Sequence, residues 1–364
     1  MRVSDLETPA LVIDIDIAER NLTRVADYAR HHNLRLRPHT KTHKIPKLGR
    51  RQLDLGAAGL TVAKTTEAEV MLAAKPSDLL VAYPVIGKAK LARLMRIAAA
   101  TDVTVALDSE FAATELSAAA ASHGRTIGVL AEFDAGLHRV GVSPRQELLA
   151  LVRKVSSLPG LEFRGLTFYP GHIKDLRSGA EQVMAELEGV VSSAVEILTK
   201  NGFAVPIVSG GSTPTLFESH RARSVNEIRP GTYVFNDRNT LACGACTIDD
   251  CAASILTTVV STAVRDQIII DGGSKTFSSD RCTVQEEPGF GLFPELPGAV
   301  LTKMNEEHGF VDVRETGQKL SPGDKVRVIP NHICVAVNLH EQVYAIRGDD
   351  VVDTWRVEGR GKLQ

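Results

Sequence analysis

The sequence predicts an α/β fold, a (β/α)8 barrel of the TIM type followed by a mainly β C-terminal domain. After an opening amphipathic segment, eight short apolar runs alternate with longer helical patterns, and that number of βα repeats is typical of a barrel. From about residue 237, β-branched runs separated by Gly, Pro and Asp replace the helical patterns, which indicates a β domain. No G-x-G-x-x-G follows an early strand, as an open dinucleotide-binding sheet would show.

The first elements are an apolar run at Ala10–Asp16 and an amphipathic helix at Ile17–His32, because apolar residues recur there at helical spacing. The eight barrel strands are predicted at Leu34–Thr40, Gly59–Ala63, Leu79–Pro84, Val103–Asp108, Ile127–Asp134, Gly165–Tyr169, Pro206–Gly210 and Asn226–Gly231. The helices between them are predicted at Ile45–Leu55, Thr66–Ala74, Lys88–Ala100, Glu110–Ser122, Arg145–Ser157 and Gly179–Asn201. The predicted domains are 17–236 for the barrel and 237–364 for the β domain.

Composition narrows the class of protein. The chain has 364 residues, enough for two domains, and a net charge of −2, which gives no overall attraction to nucleic acid or anionic membranes. No apolar run approaches the roughly 18 residues that a membrane helix needs. The N-terminus lacks a basic segment followed by an apolar one, so no signal peptide is expected. We therefore expect a cytoplasmic protein with no nucleic-acid or membrane partner.

The chain has five cysteines, an odd number that favours reduced thiols. Three of them, Cys243, Cys246 and Cys251, lie close together in sequence and suggest zinc. A fourth ligand at the usual spacing is missing, and structural zinc requires four, so ordinary thiols are the favoured interpretation.

The stretch LRLRPHTKTHK, residues 34–44, raises a question of chemistry. On a strand, alternate side chains share a face, so Arg37, His39, Lys41 and His43 would converge on one side. A solvated lysine is the usual interpretation of any Lys. A lysine flanked by two histidines at the end of the first barrel strand is instead a candidate nucleophile.

Polar residues and glycines follow other predicted strands, at the barrel mouth where catalytic residues lie. Asp134 and Arg139 follow the fifth strand and Tyr169 ends the sixth. The stretches SGGST (from Ser209) and RPGTY (Arg229–Tyr233) follow the seventh and eighth, where barrels commonly bind phosphate. Plain glycine turns would look the same. With Lys41, a phosphate cradle suggests pyridoxal phosphate, which forms a Schiff base with a lysine and acts as an electron sink.

A second constellation lies in PNHICVAVNLH, residues 330–340. On a strand, His332 and Cys334 would point to the same side, and imidazole and thiolate both bind zinc. Two ligands are fewer than a usual metal site supplies, and a buried cysteine beside a hydrogen-bonded histidine remains the alternative.

These motifs together resemble the D-threonine aldolase and D-serine dehydratase group of fold-type III, alanine racemase-like pyridoxal phosphate enzymes. The resemblance runs nearly end to end, through TPALVIDIDIAERNL, RPHTKTHK, GLHRVGV, SGGST, EIRPGTYVF, NEEHG and PNHICVAVNLH. RPHTKTHK followed late in the chain by His-x-Cys is its most specific part.

The resemblance implies roles for the candidate residues. Lys41 would carry the cofactor, with His39 and His43 tuning it or helping to move protons. Arg139 would lie near the phenolic oxygen of the cofactor and Tyr169 near its pyridine ring. His332 and Cys334 would bind a divalent metal. The phosphate would be held by Gly210, Gly211, Ser212, Gly231 and Thr232, and Tyr233 would also bind the cofactor.

The resemblance also implies an assembly. The N-terminal strand, residues 1–16, would join the β domain, and the active site would form where the barrel mouth of one subunit meets the β domain of another. A head-to-tail homodimer is therefore expected.

The implied substrate is a D-3-hydroxy-α-amino acid, and two reactions remain open. Retro-aldol cleavage to glycine and an aldehyde is favoured slightly, and dehydration of D-serine, D-threonine or 3-hydroxyaspartate to a 2-keto acid and ammonia is the alternative. His-x-Cys resembles the zinc-dependent dehydratases, whereas NLH resembles the aldolases, so zinc, manganese or magnesium is expected. An amino-acid racemase and a non-catalytic pyridoxal phosphate carrier are less favoured, the carrier because it typically lacks the β domain.

Overall fold

The computed structural model describes residues 1–144, 147–177, 179–284 and 288–364. The chain divides into two compact units, which we call the β unit and the barrel unit. The β unit comprises Met1–Arg24, Thr42–Ile45 and Thr232–Arg360. The barrel unit comprises Val25–Lys41, Pro46–Gly231 and Gly361–Gln364. The predicted domain bounds of 17–236 and 237–364 stay a prediction.

The chain opens with strand β1 (Ala10–Asp14) and helix α1 (Ile15–His31). The eight strands of the barrel unit follow: β2 (Arg35–Leu36), β3 (Leu60–Val62), β4 (Asp78–Val81), β5 (Asp102–Leu107), β6 (Ile127–Glu132), β7 (Leu161–Thr167), β8 (Ile207–Gly210) and β9 (Glu227–Ile228). Six helices connect them: α2 (Pro46–Asp54), α3 (Thr65–Met71), α4 (Lys88–Ile97), α5 (Glu110–Ser122), α6 (Leu148–Ser157) and α7 (Ala180–Lys200). The helix predicted from Arg145 begins at Leu148, and its first two predicted positions lie outside the described residues.

The eight strands are parallel and lie in the order β2-β9-β8-β7-β6-β5-β4-β3. A parallel bridge between His39 and Thr61 brings the two ends of this order together, and the Thr61 N–H donates to the Pro38 carbonyl at 2.9 Å. All six residues of β6 are buried, because helices and the barrel interior cover both faces of such a sheet. The predicted (β/α)8 barrel is confirmed.

The first predicted barrel strand, Leu34–Thr40, is much shorter in the structure. Only Arg35 and Leu36 form β2. Backbone hydrogen bonds continue as far as His39, whose N–H donates to the Pro230 carbonyl at 3.0 Å, and Thr40–Thr42 then form a 3-10 turn. The prediction that Arg37, His39, Lys41 and His43 share one strand face is therefore wrong.

The β unit contains β1 and eight further strands: β10 (Ala253–Ser261), β11 (Gln267–Ile270), β12 (Gly291–Leu292), β13 (Val300–Met304), β14 (Gly309–Asp312), β15 (Lys325–Pro330), β16 (Gln342–Arg347) and β17 (Asp350–Arg356). Its sheet has the order β13-β14-β11-β10-β1-β16-β17, and β15 pairs with β10 and β12. Three short helices accompany it: α8 (Arg238–Ala242), α9 (Ser274–Phe277) and α10 (Ile333–Leu339). The mainly β C-terminal part predicted from the sequence is confirmed.

The N-terminal strand β1 belongs to the β-unit sheet. It pairs antiparallel with β10 and parallel with β16, and its first four residues are buried. No helix among the described residues is long and apolar enough to cross a membrane.

Candidate active site

Lys41 lies in the 3-10 turn that follows β2, with its side chain exposed. Its backbone N–H points at His39 Nδ1, 3.4 Å away. Its ammonium nitrogen lies 5.9 Å from the ring centroid of Tyr169, and the Arg139 guanidinium carbon lies 4.9 Å from the same centroid. The barrel unit thus brings together three residues that the sequence predicted as cofactor contacts.

The turn after β8 has the features of an anion cradle. Gly210 ends the strand, where a Cβ atom would lie 2.2 Å from the Phe168 ring, and Gly211 has φ +91°. Both positions therefore require glycine. Strand β9 is the parallel neighbour of β8, with Ile228 opposite Gly210, so Gly231 follows the adjacent strand end.

Three backbone N–H groups of this region have no hydrogen-bond acceptor in the part of the chain that the structure describes. They belong to Gly211, Thr213 and Gly231, all buried, whereas the Ser212 N–H donates to Thr215 Oγ1 at 3.1 Å. Buried N–H groups are rarely left without a partner. A phosphate group fits this set of donors, and with Lys41 and Tyr169 the barrel unit fits pyridoxal phosphate.

The remaining predicted residues of this group lie in the β unit. Thr232 and Tyr233 begin the 3-10 turn Thr232–Val234. His43 is fully buried, and its Nδ1 accepts the Ile45 N–H at 3.0 Å, so one ring nitrogen holds the local turn.

Sequence reasoning missed Glu132, and it gave Arg229 no role beyond its place in RPGTY. Glu132 ends β6 and is buried, as is Arg229. Arg229 donates to Ser209 Oγ at 2.6 Å and to the Phe168 carbonyl at 2.9 Å. Burial raises the pKa of Glu132 to about 7. The positive charges of Arg229 and Arg139 lower this pKa, and the negative charge of Asp108 raises it further. The signal in the sequence was Glu132 itself, a charged residue at the end of an otherwise apolar strand.

We expect the stability of the protein to fall as pH rises from about 4.5 to 7, because of Glu132. Its carboxyl group binds a proton more tightly in the folded state than in the unfolded state, where the pKa is near 4.5. Deprotonation over this range therefore costs the folded state about 3 kcal/mol. Urea unfolding of wild type and Glu132→Gln at pH 5 and pH 8 measures this cost. The difference in unfolding free energy between the two proteins should change with pH, and a constant difference would contradict this assignment.

His332 and Cys334 do not lie on a strand, which corrects the prediction made from alternation. β15 ends at Pro330, His332 is the N-cap of α10, and Cys334 lies in its first turn. The two side chains are nevertheless close. Cys334 raises the pKa of His332 to about 9. Burial lowers this pKa, and the nearby Asp237 raises it further.

Asp237 is a further residue that sequence reasoning missed. It is completely buried, its Oδ2 lies 3.7 Å from His332 Nδ1, and the same oxygen accepts the Ile333 N–H at 3.0 Å. A carboxylate beside the second nitrogen of a histidine ligand is common in metal sites, because it fixes the ring.

The donor set of imidazole and thiolate fits a divalent metal of the zinc type. No group of three or more His, Cys, Asp or Glu residues among those described could hold a metal ion, so His332 and Cys334 are a pair of candidate ligands without a third from this set. Cys243, Cys246 and Cys251 are free thiols, and Cys243 donates to the Thr240 carbonyl at 3.2 Å.

A cavity of about 520 Å³ lies in the barrel unit between the segment after β7 and helix α7. The loop side carries His172, Lys174 and Asp175, and α7 contributes Val183 and Leu187. The His172 ring also lies about 3.0 Å from where a Cβ of Gly136 would be. Its size suits a small ligand.

A lysine and an anion cradle on a (β/α)8 barrel, with a separate β unit, define the class of fold-type III pyridoxal phosphate enzymes. Family models agree with this class. Residues 13–239 match the alanine racemase N-terminal domain, and residues 252–346 match a putative serine dehydratase domain.

Characterised relatives cover the whole chain. It is 33% identical to a D-threonine aldolase of an Arthrobacter species, over 98% of this chain and 93% of that protein. It is 34% identical to the D-threo-3-hydroxyaspartate dehydratase of Delftia sp. strain HT23, over 96% of this chain and 97% of that protein.

Solved structures show the same relationship. The D-threonine aldolase of Filomicrobium marinum is 31% identical and superimposes with a TM-score of 0.91, covering 98% of this chain and 96% of that one. A cysteine-to-alanine mutant of a D-threo-3-hydroxyaspartate dehydratase, in the metal-free form, is 30% identical with a TM-score of 0.89 and covers 98% of both chains. The chain belongs to the alanine racemase-like, pyridoxal-phosphate-dependent family, in the group of D-threonine aldolases and D-serine dehydratases. The members named here are lyases, and the predicted family and enzyme class are confirmed.

Proposed function

We propose that the protein is a pyridoxal phosphate- and divalent-metal-dependent lyase that cleaves D-3-hydroxy-α-amino acids by a retro-aldol reaction, giving glycine and an aldehyde. The observation that carries this proposal is the placement of Lys41 beside Tyr169 and Arg139 in the barrel unit. The end-to-end likeness to a D-threonine aldolase supports the reaction.

Pyridoxal phosphate, when bound, stabilises negative charge that develops on the substrate. Lys41 binds it, and Arg139 presents a cation near its phenolic oxygen. The N–H groups of Gly211, Thr213 and Gly231 hold the phosphate, together with Gly210, Ser212, Thr232 and Tyr233. Tyr169 contacts the pyridine ring.

His332 and Cys334 hold the metal, which supplies Lewis acidity toward the 3-hydroxyl oxygen of the substrate. Zinc is the metal that an imidazole and a thiolate favour, and manganese is the alternative. The proton of the 3-hydroxyl group passes to the imidazole of His39, whose Nδ1 lies 3.4 Å from the Lys41 backbone nitrogen. Lys41 Nζ is the group that moves a proton at Cα.

Dehydration to a 2-keto acid and ammonia is the second candidate. The observation that favours it is the thiolate ligand Cys334 together with the equally close likeness to a D-threo-3-hydroxyaspartate dehydratase. In this reaction Lys41 would remove the Cα proton and the 3-hydroxyl group would leave.

We also propose a head-to-tail homodimer. Three large apolar side chains are exposed near strand ends of the barrel unit: Tyr83 and Ile86 after β4, and Phe111 in the first turn of α5. Burial of such side chains against a second copy would remove them from water. The five free cysteines are consistent with a reducing cytoplasmic setting.

The test is product analysis with D-threonine, D-serine and D-threo-3-hydroxyaspartate, each with pyridoxal phosphate and zinc or manganese. Aldehyde and keto acid are assayed in the same reaction. We expect acetaldehyde and glycine in equal amounts from D-threonine. Keto acid and ammonia without aldehyde would reject the aldolase proposal in favour of the dehydratase.

A further inference from the structure

Thr42 connects two parts of the β unit that are far apart in sequence. Its side chain is completely buried, and its Oγ1 lies 3.2 Å from Cys334 Sγ. Thr232 Oγ1 lies farther from the same sulfur, at 3.7 Å. Thr42 therefore makes the shorter of the two hydroxyl contacts.

The direction of this hydrogen bond follows from the chemistry of a metal ligand. A cysteine binds metal as the thiolate, which has no proton to donate. The Thr42 hydroxyl group must then be the donor. A hydrogen bond from a neutral donor to an ionised acceptor is stronger than one between neutral groups, and it fixes the direction in which the sulfur lone pairs point.

The Thr42 hydroxyl group is held in place by its own segment. Lys44 Nζ donates to Asn338 Oδ1 at 2.7 Å, and the Lys44 carbonyl accepts the Gly359 N–H at 3.0 Å. Cys334 and Asn338 are four residues apart on α10 and so share a face. The segment Thr42–Ile45 is thus attached to α10 at two successive turns, and the β-branched Thr42 has few side-chain rotamers.

We propose that Thr42 is a positioning residue that holds the Cys334 thiolate in the orientation needed to bind the metal. This inference rests on the proposed function, in which Cys334 is a ligand. A single peptide bond joins Thr42 to Lys41. The four-residue segment that orients the metal ligand therefore continues directly into the lysine that carries the cofactor.

The experiment measures zinc affinity of the pyridoxal phosphate-loaded protein by competition with a chromogenic chelator. Thr42→Val keeps the shape of the side chain and removes the hydroxyl group, and we expect it to weaken zinc binding about 10-fold or more. Thr42→Ser keeps the hydroxyl group and should bind close to wild type. Thr257→Val is the matched control, a buried threonine of β10 whose hydroxyl group donates to the Val326 carbonyl at 3.2 Å.

A second readout separates positioning from simple loss of structure. With Co²⁺ in place of zinc, the thiolate-to-metal absorption band should shift in Thr42→Val and not in Thr257→Val, because only the first loses a hydrogen bond to the sulfur. Should Thr42→Val not fold, Thr42→Ala supplies the same comparison.

The outcomes distinguish this inference from the proposed function. Wild-type zinc affinity and an unshifted cobalt band in Thr42→Val, with binding lost in Cys334→Ala, would overturn the role of Thr42 alone. If Cys334→Ala bound zinc as tightly as wild type, Cys334 would not be a metal ligand. Both the proposed metal site and the proposed role of Thr42 would then be rejected.

Discussion

Replacing Lys41 with alanine is expected to lower the kcat of the lyase reaction at least about 1,000-fold. The amine proposed to bind the cofactor and to move a proton at Cα, which lies 5.9 Å from the centroid of the Tyr169 ring, is lost. The measurement is the rate of D-threonine consumption at saturating pyridoxal phosphate. Borohydride reduction of the wild-type protein followed by peptide mapping should place the cofactor on Lys41.

Lys47→Ala is the matched control for Lys41. It lies six residues away in α2, and its side chain is exposed. It should retain wild-type activity and the reduced cofactor adduct. An adduct on any lysine other than Lys41, or an active Lys41→Ala protein, would contradict the assignment.

Replacing Cys334 with alanine is expected to remove the bound metal and lower kcat by at least about 100-fold, because the Lewis acid that acts on the 3-hydroxyl group is lost. His332→Ala should have the same effect. Metal content by elemental analysis and activity with added zinc or manganese measure the two losses together. Removing the metal from wild type with a chelator should reproduce them, and added metal should reverse them.

Cys243→Ala is the control for removing a thiol. Cys243 is buried in the same unit, where its sulfur donates to the Thr240 carbonyl, and its removal should leave metal content and activity unchanged. A Cys334→Ala protein with full metal content and full activity would show that the metal is bound elsewhere.

The barrel could be predicted because its strands are covered on both faces and so appear as short apolar runs. The helix at Glu110–Ser122 matches the prediction at both ends. Its start is fixed by Ser109, the N-cap, whose side chain accepts the Ala112 N–H. Strand β2 was overestimated because the alternation in RLRPHTK continues into Thr40–Thr42, which form a 3-10 turn.

Helix α10 could not be predicted from its own residues. The run ICVAV is rich in β-branched side chains, which favour strands. The carboxylate of Asp237, 96 residues earlier, accepts the Ile333 N–H at the start of the helix, and local sequence does not reveal such a contact. His332 and Cys334 are close, as expected. The expected reason, alternation along a strand, was wrong, because both residues lie at the start of a helix.

The supporting residues of the site were the hardest to find. Glu132, Asp237 and Thr42 interact with residues that are distant in sequence: Arg229, His332 and Cys334, respectively. Each looks ordinary in its local context, as the end of a strand, a helix cap and a threonine beside a lysine. The candidate cofactor and metal residues were recognisable because their chemistry is unusual for their position.

The most direct test of the central claim is the consumption of D-threonine and L-threonine by the purified protein with pyridoxal phosphate, before and after chelation of metal. We expect that the D-enantiomer alone is converted to aldehyde or keto acid, that chelation stops the reaction, and that zinc or manganese restores it. Turnover of L-threonine at a similar rate, conversion unaffected by chelation, or interconversion of enantiomers without bond cleavage would contradict a metal-dependent D-amino acid lyase.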